Sequence, residues 1–171
     1  MKIIYFLIVY SFCTLLGFSQ TPEVDQKVFL ITLDGLRWQE LFSGVDSLLV
    51  KNPKYVKDPD ALYAWTWAVS PQKRRRKLMP FVWNQVVKMG QIHGNRNLGS
   101  KVNLKNGMWF SYPGYNEILT GMADDQNIDS NAKTPNPNET VLEQFAKAYG
   151  KENVAAFGSW DVFHAIVNEE R

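Results

Sequence analysis

The stretch from residue 109 to 121, Trp-Phe-Ser-Tyr-Pro-Gly-Tyr-Asn-Glu-Ile-Leu-Thr-Gly, constrains the chain most, because it defines a helix at both ends. Proline at 113 suits a first helical turn, and glycine at 121 suits the position just past the last one. Ile118 and Leu119 supply apolar positions between them. Ser111 then sits just before the helix, where free backbone N–H groups and the positive end of the helix dipole favour an anion. A hydroxyl there has two uses. It caps the helix, or it attacks a phosphoryl or sulfuryl group while the helix end stabilises the developing charge.

A length of 171 residues gives a prior of one domain or part of one. The 45% hydrophobic and 21% charged content belongs to an ordinary globular chain, and a net charge of +2 makes no case for nucleic acid as partner. The first twenty residues stand apart. Lys2, an apolar run over residues 3–16 and the exit Gly17-Phe18-Ser19-Gln20 form the pattern of a secretory signal peptide. The run is short for a membrane span, which needs roughly twenty residues. The expected organisation is a signal peptide over residues 1–20 and a mature chain over 21–171. That chain is expected to be periplasmic or secreted, with no stable membrane association after cleavage. Cys13, the only cysteine, lies inside the leader. The mature chain therefore has no thiol for a disulfide, a zinc–thiolate site or a cysteine nucleophile.

In chain order, residues 28–33 form a continuous apolar run broken only by Thr32 and stopped by Asp34-Gly35. This pattern predicts a strand buried on both faces, as in a parallel sheet. Asp34 then sits at the strand's carboxyl end, where open α/β sheets hold ligands, as a metal ligand or a helix cap. Residues 36–42 predict a short helix ended by Gly44, and residues 52–60 a surface insertion. Tyr63, Trp65 and Trp67 predict a packed aromatic flap or a sugar-stacking platform. Ser70-Pro71 starts a helix whose five consecutive bases, residues 73–77, read as a solvated face. Pro80 restarts a helix closed by Gly90. A short strand or turn is expected over 91–96, a short strand over 102–104, and a loop over 122–138. Thr140 and Glu143 have capping-box spacing for a helix ending near Gly150. Residues 154–158 predict a third buried strand, and Ser159 or Asp161 caps a last helix.

Three separated stretches resemble the alkaline phosphatase superfamily, in its phosphodiesterase- and phosphoglyceromutase-like branch. Residues 28–35 resemble its first strand, with Asp34 matching the metal-binding aspartate. Residues 79–90, Met-Pro-Phe-Val-Trp-Asn-Gln-Val-Val-Lys-Met-Gly, resemble the helix that follows, and residues 111–121 its nucleophile segment. The resemblance implies a three-layer α/β sandwich with a mostly parallel sheet. It also implies two divalent ions, zinc or manganese, and a small-molecule phosphate or sulfate ester as substrate. Ser111 would be the nucleophile, and Asp34 and Ser111 would share one metal.

The family's later Asp-His ligands have no match in the chain, whose only histidines, His93 and His164, stand outside such motifs. The expectation is an amino-terminal portion of a phosphoester hydrolase, inactive by itself, with a sulfatase or phosphoglycerate mutase-like enzyme as the alternative. An exported, non-catalytic glycan-binding module using Tyr63, Trp65 and Trp67 is the other class.

Overall fold

The computed structural model describes residues 26–171, so the leader and Cys13 lie outside the described residues. The chain divides into a unit Met1–Leu33 and a compact unit Asp34–Arg171. Of the first, residues 26–33 are described. They lie outside regular secondary structure and are exposed.

The second unit is built from helices in two groups. The first group comprises α1 (Trp38–Ser43), α2 (Ser47–Val50), α3 (Pro59–Thr66) and α4 (Pro71–Leu78). A π-helical stretch, Val82–Val86, follows and runs on into α5 (Val87–Met89). The second group comprises α6 (Ser111–Thr120), α7 (Val141–Tyr149) and α8 (Phe163–Val167). No described helix is long and apolar enough to cross a membrane.

Local sequence accounts for most helix starts. Asp46, Asp58 and Ser70 accept backbone N–H bonds at the starts of α2, α3 and α4, and proline opens both α3 and α4. Thr140 and Glu143 form the reciprocal capping box at α7. Gly121 closes α6 with φ 76°, a left-handed geometry that glycine adopts without strain. Gly44, with φ 77°, does more than end α1. A Cβ built there would lie 2.4 Å from Arg74 Cβ, so α1 and α4 pack as closely as they do only because residue 44 lacks a side chain.

Each group has its own apolar centre. In the first, Phe42 meets Trp83 edge to face at 6.1 Å, and Trp83 Nε1 donates to Leu41 O at 3.0 Å. In the second, Tyr112, Tyr115, Leu119, Ile128, Val162 and Ile166 form a buried cluster. Phe163 packs edge to face on Tyr115 at 4.8 Å.

The structure corrects the expected α/β sandwich: no strand occurs among the described residues. The runs read as strands, 28–33, 102–104 and 154–158, lie outside regular secondary structure and expose most of their apolar side chains, and residues 91–96 form no strand either, with Arg96 opening a 3-10 turn. An apolar run becomes a strand only when a neighbour takes its backbone N–H and C=O groups, and none of these runs has such a neighbour. The aromatic flap is corrected as well. Residues 63 and 65 belong to helix α3 and Trp67 caps its end. The last helix begins later than expected, with Val162 as cap and no side-chain cap bond from Ser159 or Asp161.

Candidate functional site

Ser111 is the first residue of α6, and the cap position before it is Phe110, which has no side-chain cap bond. Of the N–H groups that would face an anion, that of Tyr112 donates to Asn131 Oδ1 at 3.0 Å, and Pro113 has none to give. The loop has therefore largely filled the seat that the helix end would offer. No described side chain hydrogen-bonds to the Ser111 hydroxyl. Asp34 lies in an exposed turn with Gly35 at φ 75°, and it makes no hydrogen bond or ion pair among the described residues.

No group of three or more His, Cys, Asp or Glu able to hold a metal ion occurs among the described residues. His93 pairs with Gln91 at 3.2 Å, and His164 sits on α8. This arrangement, with the helical fold, overturns the expected phosphoester hydrolase and its two zinc or manganese ions. The sulfatase and mutase alternatives share the same sandwich and fall with it.

The aromatic triplet is divided by helical geometry. Tyr63 and Trp67, four residues apart, stack at 5.0 Å and 17°. Each ring also carries a cation: Lys51 Nζ lies 4.2 Å from the Tyr63 ring and the Arg74 guanidinium 4.6 Å from that of Trp67. Trp65, at the intervening position, is exposed, so the three rings do not line up as a platform for a sugar.

The five bases of α4 are not merely a solvated face. Arg74 donates to the carbonyls of Ser43, Ala68 and Val69, Arg75 to that of Phe42, and Lys77 to that of Trp67. These carbonyls lie at the ends of α1 and α3, where cations complement unpaired C=O groups. Arg75 also lies 3.6 Å from the Trp83 ring, and burial together with neighbouring Arg76 lowers its pKa.

The second group holds a polar network that residue spacing did not reveal. Asn116, fully buried, accepts at Oδ1 from Asn136 and Asn138, each at 3.2 Å, and donates to Met122 O at 3.0 Å. Asn136 donates to Ile166 O, and Asn168 donates to Asn136 O. These amides tie α6 to α8 through the loop and satisfy one another, so they organise the fold rather than await a ligand. A fixed asparagine inside α6 followed by an asparagine-rich loop was the available signal.

What the described surface leaves unmet is apolar and extended. Val28, Phe29, Leu30, Ile31 and Leu33 are 58 to 81% exposed, and no backbone hydrogen bond involves residues 28–33. In the helical unit, Phe157 is 94% exposed within its own extended run. Trp109, 97% exposed, has a φ of 56°, unusual for a residue with a side chain.

No family model, curated protein or solved structure matches this chain.

Proposed function

We propose that the chain is a polypeptide-binding module that adds residues 28–33 as a strand to a partner. One observation carries this reading: five large apolar side chains, exposed together on backbone outside regular secondary structure that makes no hydrogen bond to another described residue. Burying them is worth on the order of 10 kcal/mol at about 1.5–3 kcal/mol each, an upper estimate before ordering costs. The run is apolar on both faces, broken only by Thr32. The matching seat is therefore a sheet edge already covered above and below, not a sheet with one face in water. Main-chain hydrogen bonds would supply affinity, and side-chain pockets specificity.

The partner in this reading is neither nucleic acid nor membrane. The small phosphate or sulfate ester has lost the metal centre that was to hold it. Export to the periplasm or beyond belongs to the proposal and rests on Lys2 and the apolar run over residues 3–16. Mass spectrometry of the extracellular or periplasmic protein checks it: a mature terminus near residue 21 is expected, and an intact Met1 on exported protein overturns the cleavage.

The strand itself is tested with a photo-crosslinker at Phe29 in the producing cell, followed by amide exchange on the captured complex. Residues 28–33 should exchange freely in the isolated chain and be protected in the complex. Ile31→Pro should abolish capture, because it removes a donor from the middle of the strand. Capture that leaves those amides unprotected overturns the reading.

A further inference from the structure

The two helical groups carry opposite charge. Residues 51–88 contain nine lysines and arginines and only two acids, Asp58 and Asp60. Residues 109–171 contain ten acids and four bases. Among the described residues no carboxylate pairs with any cation of the first set. Ion pairs between described residues join Arg37 to Glu40 and Asp46, Lys133 to Asp161, Lys147 to Glu139, and Arg171 to Glu143. The acidic region balances part of its charge internally, whereas the basic region turns to carbonyls and aromatic faces.

On the basic side the side-chain charges of Lys73 and Arg76 are exposed and make no hydrogen bond or ion pair with a described residue. On the acidic side the carboxylates of Glu169 and Glu170, just past α8, are equally free and exposed. We infer that a second copy of this chain is the partner of the basic face, docking the carboxylates of Glu169 and Glu170, which share a hollow with Lys133 and His164, against Lys73 and Arg76. The complementary charge stands on the same molecule, so two copies satisfy each other. The contact is heterologous: the patch on one copy differs from the patch it meets, so copies add head to tail. Between exposed groups such a contact is weak and strongly screened by salt. It uses none of residues 28–33 and is independent of strand addition.

Sedimentation of the mature chain across a concentration series, at about 25 mM and about 500 mM NaCl, tests this. The expected result is concentration-dependent assembly at low salt, weakened at least about tenfold at high salt. Lys73→Glu with Arg76→Glu should abolish assembly, and Glu169→Lys with Glu170→Lys should do the same. Circular dichroism should be unchanged in both, since none of these side chains holds the fold. Mixing the two variants should restore hetero-assembly, because each then carries the charge the other lacks. A wild-type chain that stays monomeric at low salt overturns the inference. So does assembly indifferent to salt and to both reversals, which would instead be apolar association through residues 28–33. Binding of heparin or anionic vesicles by a monomeric chain would overturn it in favour of a foreign polyanion.

Discussion

The helical group of residues 38–89 and the group of residues 111–168 solve the same problem by different chemistry. Both contain short helices whose ends leave backbone groups unpaired. In the first, one basic helix reaches out with Arg74, Arg75 and Lys77 and takes carbonyls at the ends of α1 and α3. In the second, neutral amides from Asn116, Asn136, Asn138 and Asn168 link the helix to its loop from within the core. Cations suit the first because its contacts are partly exposed and guanidinium stems can lie on Trp67 and Trp83. Amides suit the second because they carry no charge to desolvate. A run of bases is therefore a clamp here before it is a ligand surface, and the charges left over on it are what the rest of the molecule can attract.

The largest effect should come from the place where the first group tolerates no side chain. Gly44→Ala sets a Cβ against Arg74 and forces a left-handed φ on alanine, costing about 4 kcal/mol when strain and overpacking are combined. Urea unfolding measures it, and amides of α1 and α4 should lose protection before those of α6. Uniform loss across both groups would mean that the two are one cooperative unit.

Asn116→Ala should cost about 3 kcal/mol, because it leaves Asn136, Asn138 and the Met122 carbonyl short of a partner in the core. Here the order reverses, with α6 and α8 exposed to exchange first. Arg74→Ala should cost about 2 kcal/mol through three carbonyls and the Trp67 ring, and Arg74→Lys should recover little, since an ammonium cannot span that fork.

The sequence made the helices legible and its short apolar runs misleading, for one reason. Ser70-Pro71, Thr140 with Glu143, and Gly121 state their structures within four residues. Asp58-Pro59 states one too, a helix start inside what reads as a surface insertion. Residues 28–33 state only that they are apolar and short. Whether such a run becomes a strand depends on a neighbour distant in sequence or on another chain, and no local pattern encodes that. The candidate site suffered similarly. Pro113 and Gly121 set Ser111 just before a helix of which it is instead the first residue, with Phe110 at the cap, and nothing nearby announced that Asn131 takes the Tyr112 N–H.

Acid should distinguish the two groups further. Hydrogen bonds from Asn138 and Asn127 hold the Asp124 carboxyl below its ordinary 3.8. Partial burial opposes the same effect at Glu117 and Glu143, yet bonds from Asn106 and Lys105, and from Arg171 and Thr140, keep both below 4.5. The unfolded chain binds these protons more readily. Their stabilisation is therefore complete above the ordinary carboxylate values and is lost as pH falls through the lower folded ones. Amides of α6 and α7 should lose protection as pH falls through these lowered values, while those of α4, which carries no carboxylate, keep theirs. At the other extreme, burial pushes the Tyr112 hydroxyl up to about 12 from 10.0. A group kept neutral by folding contributes fully below its unfolded value, so that contribution disappears as pH rises from 10 toward 12. Equal acid sensitivity in the two groups would break the contrast.

The smallest effects come from two hydroxyls at helix starts within the second group. Thr140 accepts from the Glu143 N–H while Glu143 takes the Thr140 N–H, so Thr140→Ala should lose about 1 kcal/mol. Ser111 stands one residue inside its helix, with Phe110 in the cap position and no bond to its own hydroxyl. Ser111→Ala should therefore change stability by less than about 0.5 kcal/mol, with the better helix propensity of alanine tilting it upward. Paired thermal melts of the two variants decide the point at one pH and one salt concentration. If Ser111→Ala lost as much as Thr140→Ala, the hydroxyl would have a bonding partner that the described contacts do not include, and the first turn of α6 would again be a place to look for a bound group.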